Sequence, residues 1–256
     1  MFDSIGFIGA GRIAHIMLGG WQRAGAVIGP VHVFDPSADA IENLRNAFPD
    51  VASAGEQEAA SQSLVFLAVH PPMMEALLAR IAPVLRPDAV VVSLAPRVRL
   101  PALQAQLGGF TRIARMNPNA PSVVGQGFNP VAYGDGLPHE ARASLQALMA
   151  PLGESPEVDD ALIETCAVIS AMGPTYFWFQ FDEVRQLAQS FGMSAQQANA
   201  AVRSMLHGAV DTLFDGSLPP ERVMDLVPVK PLAPDEEAIK GMLRERLGAI
   251  HAKLTS

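Results

Sequence analysis

Gly9, Gly11 and Ala14 stand at the spacing Gly-x-Gly-x-x-Ala, behind the apolar run Ser4–Ile8 and ahead of a helical pattern. Such residues can bring a polypeptide backbone against a pyrophosphate. Gly9 allows the tight turn, Gly11 admits the phosphates to the main chain, and Ala14 keeps the helix close to its strand. Ala10, Arg12 and Ile13 complete the segment, whose amide N–H groups and positive helix end would face the anion. Asp35 ends a second β-rich run, about two dozen residues past Gly11, where a carboxylate accepts hydrogen bonds from an adenosine ribose. A 2′-phosphate there would meet like charge, and Pro36-Ser37 supplies no arginine for it. NAD(H) is therefore favoured, with NADP(H) as the second cofactor the motif allows. The alternative reading of Asp35 is a cap for a helix from Ala38 onward.

Other residues carry weaker chemical signals. Arg97, Arg99 and Arg115 lie near the ends of two apolar runs and could bind an anionic substrate, with Arg97 best placed. The competing reading of an arginine at a turn is a solvated surface residue. His15, His32, His70, His139, His207 and His251 are scattered, with no pair at ligand spacing, so no metal site is expected. The single cysteine, Cys166, has no partner for an internal disulfide, and its apolar neighbours describe a buried, inert thiol. Trp178 with Phe177, Phe179 and Phe181 fits a buried or dimer-facing helix better than a platform for bases. A formal charge of −8 also argues against nucleic acid and anionic lipid as partners.

The elements that must position these residues follow from periodicity. Ser4–Ile8, Val31–Phe34, Leu64–Val69, Ala89–Leu94 and Ile113–Met116 read as strands. They are almost continuously apolar, as when both faces of a sheet are covered. Ile13–Arg23, Ala38–Ala47, Met73–Val84 and Leu100–Leu107 read as the helices between them. The alternation implies an α/β architecture, a Rossmann-type doubly wound parallel sheet. A strand or hairpin within Val123–Tyr133, a helix His139–Met149 and a strand Glu154–Val158 would close a first domain at 1–158. From Asp159 the pattern is helical (Ala161–Ser170, Thr175–Phe191, Ala195–Phe214, Asp235–Leu254), giving an all-α domain at 159–256. The apolar stretch Ala161–Phe181 contains Glu164, Gly173 and Pro174, which suits buried helices better than a membrane span. Phe2–Ile8 is short, carries Asp3 and runs into the glycine motif. It reads as a first strand rather than an export signal, and a cytoplasmic protein is expected.

Several segments resemble the pyrroline-5-carboxylate reductases. Phe66-Leu67-Ala68-Val69-His70-Pro71 is similar to that family's strand ending in Ala-Val-Lys-Pro, and Ser93-Leu94-Ala95-Pro96-Arg97-Val98 to its Ser-Ile-Ala-Ala-Gly-Val. Arg115-Met116-Asn117-Pro118-Asn119-Ala120-Pro121 resembles Arg-Val-Met-Pro-Asn-Thr-Pro, and Ser170-Ala171-Met172-Gly173-Pro174-Thr175-Tyr176 resembles Ser-Gly-Ser-Gly-Pro-Ala-Tyr. The resemblance implies that Ala68, Val69, His70 and Pro71 run along the cofactor towards its nicotinamide, with Ala95 and Asn119 around the nicotinamide crevice. It also implies that the helical domain dimerises with a second copy, with substrate held between nicotinamide and that domain. Three departures stand out. His70 replaces the family's lysine and Arg97 its glycine. The Ser-Pro-Gly-Gly-Thr-Thr loop that holds the substrate carboxylate gives way to Leu226-Val227-Pro228-Val229-Lys230-Pro231-Leu232-Ala233-Pro234, ahead of Asp235, Glu236 and Glu237.

The expected function is hydride transfer between a nicotinamide cofactor and a small, anionic imine or amine, or a keto or hydroxy acid. Tyr176 and His70 are the candidate proton donors. The bland alternatives are a core tyrosine and a strand-end cap. Arg97, Asn119 and Lys230 are the candidate substrate contacts. A second reading, a nucleotide-sensing or scaffold protein that binds the cofactor without turnover, draws on the missing carboxylate loop.

Overall fold

The computed structural model describes residues 2–255. The chain forms two compact units. One runs through Met172 and takes in the chain again from His251, and the other is Gly173–Ile250.

The first unit alternates strand and helix. In order it comprises β1 (Ile5–Ile8), α1 (Arg12–Ala24), β2 (Val31–Phe34), α2 (Ala38–Ala47), β3 (Ala52–Ser53), α3 (Glu56–Ala60) and β4 (Leu64–Leu67). It continues through α4 (Met74–Ile81), β5 (Val90–Ser93), α5 (Leu100–Gln106), β6 (Ile113–Met116), β7 (Gly127–Phe128) and β8 (Val131–Tyr133). Then come α6 (His139–Met149), β9 (Gly153–Glu154) and α7 (Ile163–Cys166). The main sheet has the order β3-β2-β1-β4-β5-β6-β8, parallel except for β8, which runs antiparallel to β6. Winding reverses between β1 and β4, and at such a switch point open α/β sheets bind ligands at their carboxyl ends.

Alternate strand residues feed two cores, one on each face. Phe7 and Phe66 stack at 4.9 Å on one face, under Met17, Leu18 and Trp21 of α1. Val65, Leu67, Val91 and Ile113 pack against Leu77, Leu78 and Leu103 on the other. The Trp21 indole N–H donates to the Leu148 carbonyl at 2.8 Å, so the largest buried side chain leaves no polar atom unpaired.

The strands expected over Val31–Phe34 and Ile113–Met116 are observed with those bounds, while those over Ser4–Ile8, Leu64–Val69 and Ala89–Leu94 are each shorter by one or two residues. The helix expected over Met73–Val84 is α4 flanked by 3-10 turns at Pro71–Met73 and Ala82–Val84, because prolines interrupt the amide ladder at both ends. The segment Val123–Tyr133 divides among a 3-10 turn (Ala120–Val124), β7 and β8. The strand expected over Glu154–Val158 begins one residue earlier as β9, paired with β7, and resumes as a single parallel bridge from Glu157 to Val131 of β8. The boundary between units falls at Gly173 instead of Asp159. Residues 160–172 are bound to the sheet by Arg115 and Asn119, and for that reason they belong to the first unit.

The helix expected over Ala161–Ser170 is a 3-10 turn, then α7, then a π-helical turn at Ala167–Ala171. Proline at position 174 has no N–H to give the carbonyl of Ser170, four residues earlier. That oxygen instead accepts from Asn119 Nδ2 at 3.1 Å.

The second unit is helical: α8 (Pro174–Ser190), α9 (Ala195–Phe214), α10 (Pro220–Val223) and α11 (Glu236–Thr255), whose last turn from His251 is grouped with the first unit. Ser194 and Gln197 form a capping box that starts α9. No described helix is long and apolar enough to cross a membrane.

Candidate functional site

Gly9 follows β1 with φ +114, a conformation natural only to glycine, and a Cβ there would lie 2.5 Å from the Ala68 carbonyl oxygen. Its N–H donates to Phe34 O at 2.7 Å, so the turn is wedged between the ends of β2 and β4. Gly11, the N-cap of α1, is exposed, and a Cβ built on it has no atom within 4 Å. The first amides of α1, from Arg12 and Ile13, have no carbonyl within their own helix. Open space, free amides and a positive helix end coincide, and the residues present fit a dinucleotide pyrophosphate. Ala14 is buried beneath them, Ile13 is half-buried, and Arg12 is exposed.

Asp35 Oδ2 accepts from the Ala10 N–H and Oδ1 from the Ser37 N–H, both at 2.9 Å. The carboxylate therefore ties the glycine turn to the end of β2. Capping of α2 falls to Ser37, whose Oγ accepts from Ala40 N at 3.3 Å, so Asp35 is not the cap. Each carboxylate oxygen keeps a lone pair for a ribose hydroxyl. Beside it opens a cavity of about 580 Å³, lined in part by Pro36, Glu42, Arg45 and Ser53. Arg45 is not among the sequence candidates, because the residues that directly follow Asp35, Pro36-Ser37, hold no cation. Its place on α2, two helical turns from Ala38, was the available signal.

At the end of β4, Ala68 and Val69 are half-buried, His70 is exposed, and Pro71 opens a 3-10 turn. After β5, Ala95 is 4% exposed. Arg97 then adopts φ +82, the one non-glycine positive φ among the described residues. Its side chain is exposed, while its backbone N–H donates to Glu164 Oε1 at 2.9 Å. Sequence reasoning treated Arg97 as a side chain only. The family's glycine at this position was the clue to its backbone.

Two expectations require correction. Arg115 is not available to a substrate: it is 0% exposed and paired with Asp160 Oδ1 at 2.6 Å and with Glu164 Oε1. An ionised guanidinium survives burial only when paired in this way. Asn119 is also withdrawn. Its Oδ1 accepts from Phe128 N at 3.1 Å and its Nδ2 donates to the Ser170 carbonyl, so its amide pins the β6–β7 connection to the π-helical turn. Asp160 and Glu164, the acids that complete this network, were missed as functional candidates.

Tyr176 and Lys230 lie in the second unit. Tyr176 is half-buried in the first turn of α8, its ring edge-on to Phe177 at 6.3 Å, and burial pushes its hydroxyl above the usual phenol range. Lys230 is exposed, 3.7 Å from Asp225 Oδ1, and lines a cavity of about 550 Å³ with Met224, Leu232, Glu236 and Ile239. Lys240 contacts Glu236 at 2.5 Å and Glu237 at 3.1 Å, and its hydrogen bond holds the Glu236 carboxyl below the usual range. Cys166 is half-buried and burial pushes its thiol up, which keeps it protonated. No cluster of metal-ligating side chains occurs among the described residues.

Sheet order, glycine turn and ribose-side acid together define a Rossmann-type dinucleotide-binding protein with an appended helical unit. Known proteins narrow that class. Residues 4–97 match the family described as NADP oxidoreductase, coenzyme F420-dependent. The chain is 29% identical over 229 residues to the pyrroline-5-carboxylate reductase of Escherichia coli K12, covering 89% of this chain and 85% of that protein. To the Pseudomonas aeruginosa enzyme of the same name it is 27% identical over 239 residues, covering 92% and 87%. Its fold is similar to that of the NADP-bound pyrroline carboxylate reductase of Plasmodium falciparum. The TM-score is 0.84 at 18% identity, over 99% of this chain and 97% of that one. The Streptococcus pyogenes enzyme gives 0.80 at 17% identity, over 98% of both. Along most of its length the chain is similar to the pyrroline-5-carboxylate reductases, which are NAD(P)-dependent oxidoreductases.

Proposed function

We propose that the protein reduces the C=N bond of a small anionic imine, or oxidises the corresponding amine, with NAD(H) as the favoured cofactor. Keto and hydroxy acids are the second substrate class. The observation that carries this reading is the cradle at Gly9–Gly11, open above Gly11 and tied by the Ala10 amide to Asp35. A bound nicotinamide supplies the hydride, and alignment is the protein's task. Gly9, Ala10, Gly11, Arg12 and Ile13 would hold the pyrophosphate and Asp35 the adenosine ribose. Ala68, Val69, His70, Pro71 and Ala95 would line the way to the nicotinamide. His70 and Tyr176 are the proposed proton donors, the latter kept protonated by burial. Arg97, exposed beyond β5, and Lys230 are proposed to attract the substrate anion. The prolines of the Pro228–Pro234 segment lack the amide N–H groups that a helix-start cradle would use.

The expected result is faster oxidation of NADH than NADPH with at least one member of a panel of cyclic imino acids and keto acids. Titration should show NADH bound at least tenfold more tightly, about 1.4 kcal/mol. Asp35→Ser should narrow or invert that ratio. Native preference for NADPH would remove Asp35 from the selectivity role and point to Arg45. Cofactor binding without turnover of any panel member would favour the scaffold reading.

The protein is also proposed to be a cytoplasmic homodimer. Phe177, Trp178, Phe179, Met205, Val210 and Phe214 of α8 and α9 are each at least 46% exposed, more apolar surface than a lone helical unit of this size keeps in water. Light scattering at micromolar concentration should give twice the chain mass. A folded monomer would overturn the proposal.

A further inference from the structure

Asp160 and Glu164 lie outside the cofactor cradle, yet both reach the loop that follows β5. We propose that Glu164 is a positioning residue. Through the Arg97 amide it fixes the Ala95–Arg97 loop against the nicotinamide half of the dinucleotide. The inference rests on the nicotinamide-dependent reading above.

Three observations carry it. The first is place. The sheet reverses between β1 and β4, and Asp35 marks the adenosine side on β2. The other half of a dinucleotide laid across this switch point runs over the ends of β4 and β5. The loop carrying the buried Ala95 lies there.

The second is conformation. A residue with a Cβ resists the left-handed region and stays in it when its surroundings hold it there. Arg97 is in that region, and its side chain is exposed. What grips the segment is acid. Glu164 Oε1 takes the Arg97 N–H at 2.9 Å, and Asp160 Oδ2 takes the Leu100 N–H at 3.1 Å. The two carboxylates therefore clamp both ends of the stretch from Arg97 to Leu100.

The third is rigidity behind the clamp. Glu164 is 1% exposed and held by Arg115, which rises from β6 directly opposite Ser93 of β5. An unbroken line of contacts runs from β6 through the guanidinium and carboxylate to the loop amide. Oε1 carries both bonds, to Arg97 and to Arg115, while Oε2 is buried with no hydrogen-bond partner. Glutamine can therefore turn its amide nitrogen to the Oε2 side and keep an acceptor where Oε1 now stands. Aspartate keeps the charge for Arg115 but draws the oxygen back from the Arg97 amide.

The contrast between these two variants separates positioning from simple core pairing. Measured for each are the melting temperature, the dissociation constants of NADH and of ADP-ribose (which lacks the nicotinamide), and kcat where a substrate is in hand. Glu164→Asp should melt closer to wild type, yet bind NADH at least tenfold more weakly with ADP-ribose within twofold. Its kcat should fall about 100-fold, the cost of misplacing reacting groups by about an ångström. Glu164→Gln should melt lower, yet keep NADH affinity and kcat within threefold. If NADH affinity follows melting temperature across the variants, or ADP-ribose weakens as much as NADH, the proposal is overturned. It is equally overturned if wild type binds NADH no tighter than ADP-ribose, or if neither variant folds. A wild type without turnover would remove the reductase reading, while the comparison of NADH with ADP-ribose would still decide the role of Glu164.

Discussion

Arg115→Ala is expected to lower the stability of the first unit by about 3–5 kcal/mol, the range for removing one partner of a buried ion pair. Glu164, 1% exposed, would lose its cation, and the Asp160 carboxylate would lose a contact of 2.6 Å. Neither has a second basic group within salt-bridge distance among the described residues. Arg115→Lys should recover only part of the loss. A single ammonium cannot direct separate N–H groups to two acids as the guanidinium does. Arg115→Met, of similar length and apolar, should behave like alanine, because it leaves both acids unpaired. Urea unfolding followed by circular dichroism would measure all three. A loss below about 1 kcal/mol for alanine would mean that the pair behaves as an exposed one.

That network also shows where sequence reading reached its limit. The glycine turn was legible because its chemistry is local: Gly9, Gly11 and Ala14 lie within one strand–helix turn. The parallel sheet was legible because strands covered on both faces are continuously apolar. Arg115 was misread because its partners lie 45 and 49 residues downstream. Proximity to a strand end then made it look available. One signal was in plain view: Glu164 stands in an otherwise apolar run, and a buried carboxylate demands a cation somewhere. Asn119 failed for the same reason, since its amide bonds to Ser170, 51 residues away. The boundary at Asp159 followed from the onset of helical periodicity. Tertiary ties through Arg115 and Asn119 moved it to Gly173, and no periodicity reports such ties. β3 and α3 were passed over because two and five residues are too few to show a period.

Gly9→Ala and Gly11→Ala should separate folding from cofactor binding at the cradle. At position 9 the backbone has φ +114, and a new Cβ would meet the Ala68 carbonyl oxygen at 2.5 Å and its carbon at 2.8 Å. The obstacle is the main chain at the end of β4, which cannot rotate aside as a side chain would. Strain of this kind costs about 1–3 kcal/mol. Relieving it would shift the turn away from the Phe34 carbonyl and the Asp35 carboxylate that now hold it. The expected result is a lower urea midpoint together with at least a 100-fold loss of NADH affinity. Position 11 is different. Its φ is −76, which any residue adopts, and its Cβ would meet no atom within 4 Å. Gly11→Ala should therefore fold with wild-type stability, within about 0.5 kcal/mol. The same methyl group would stand in the open space above the first amides of α1, where the pyrophosphate is expected to lie. NADH and ADP-ribose should both weaken by at least tenfold, since the lost contact belongs to the phosphates they share. If Gly11→Ala binds both ligands as wild type does, the phosphates do not rest on this helix start, and the open space above Gly11 has another use.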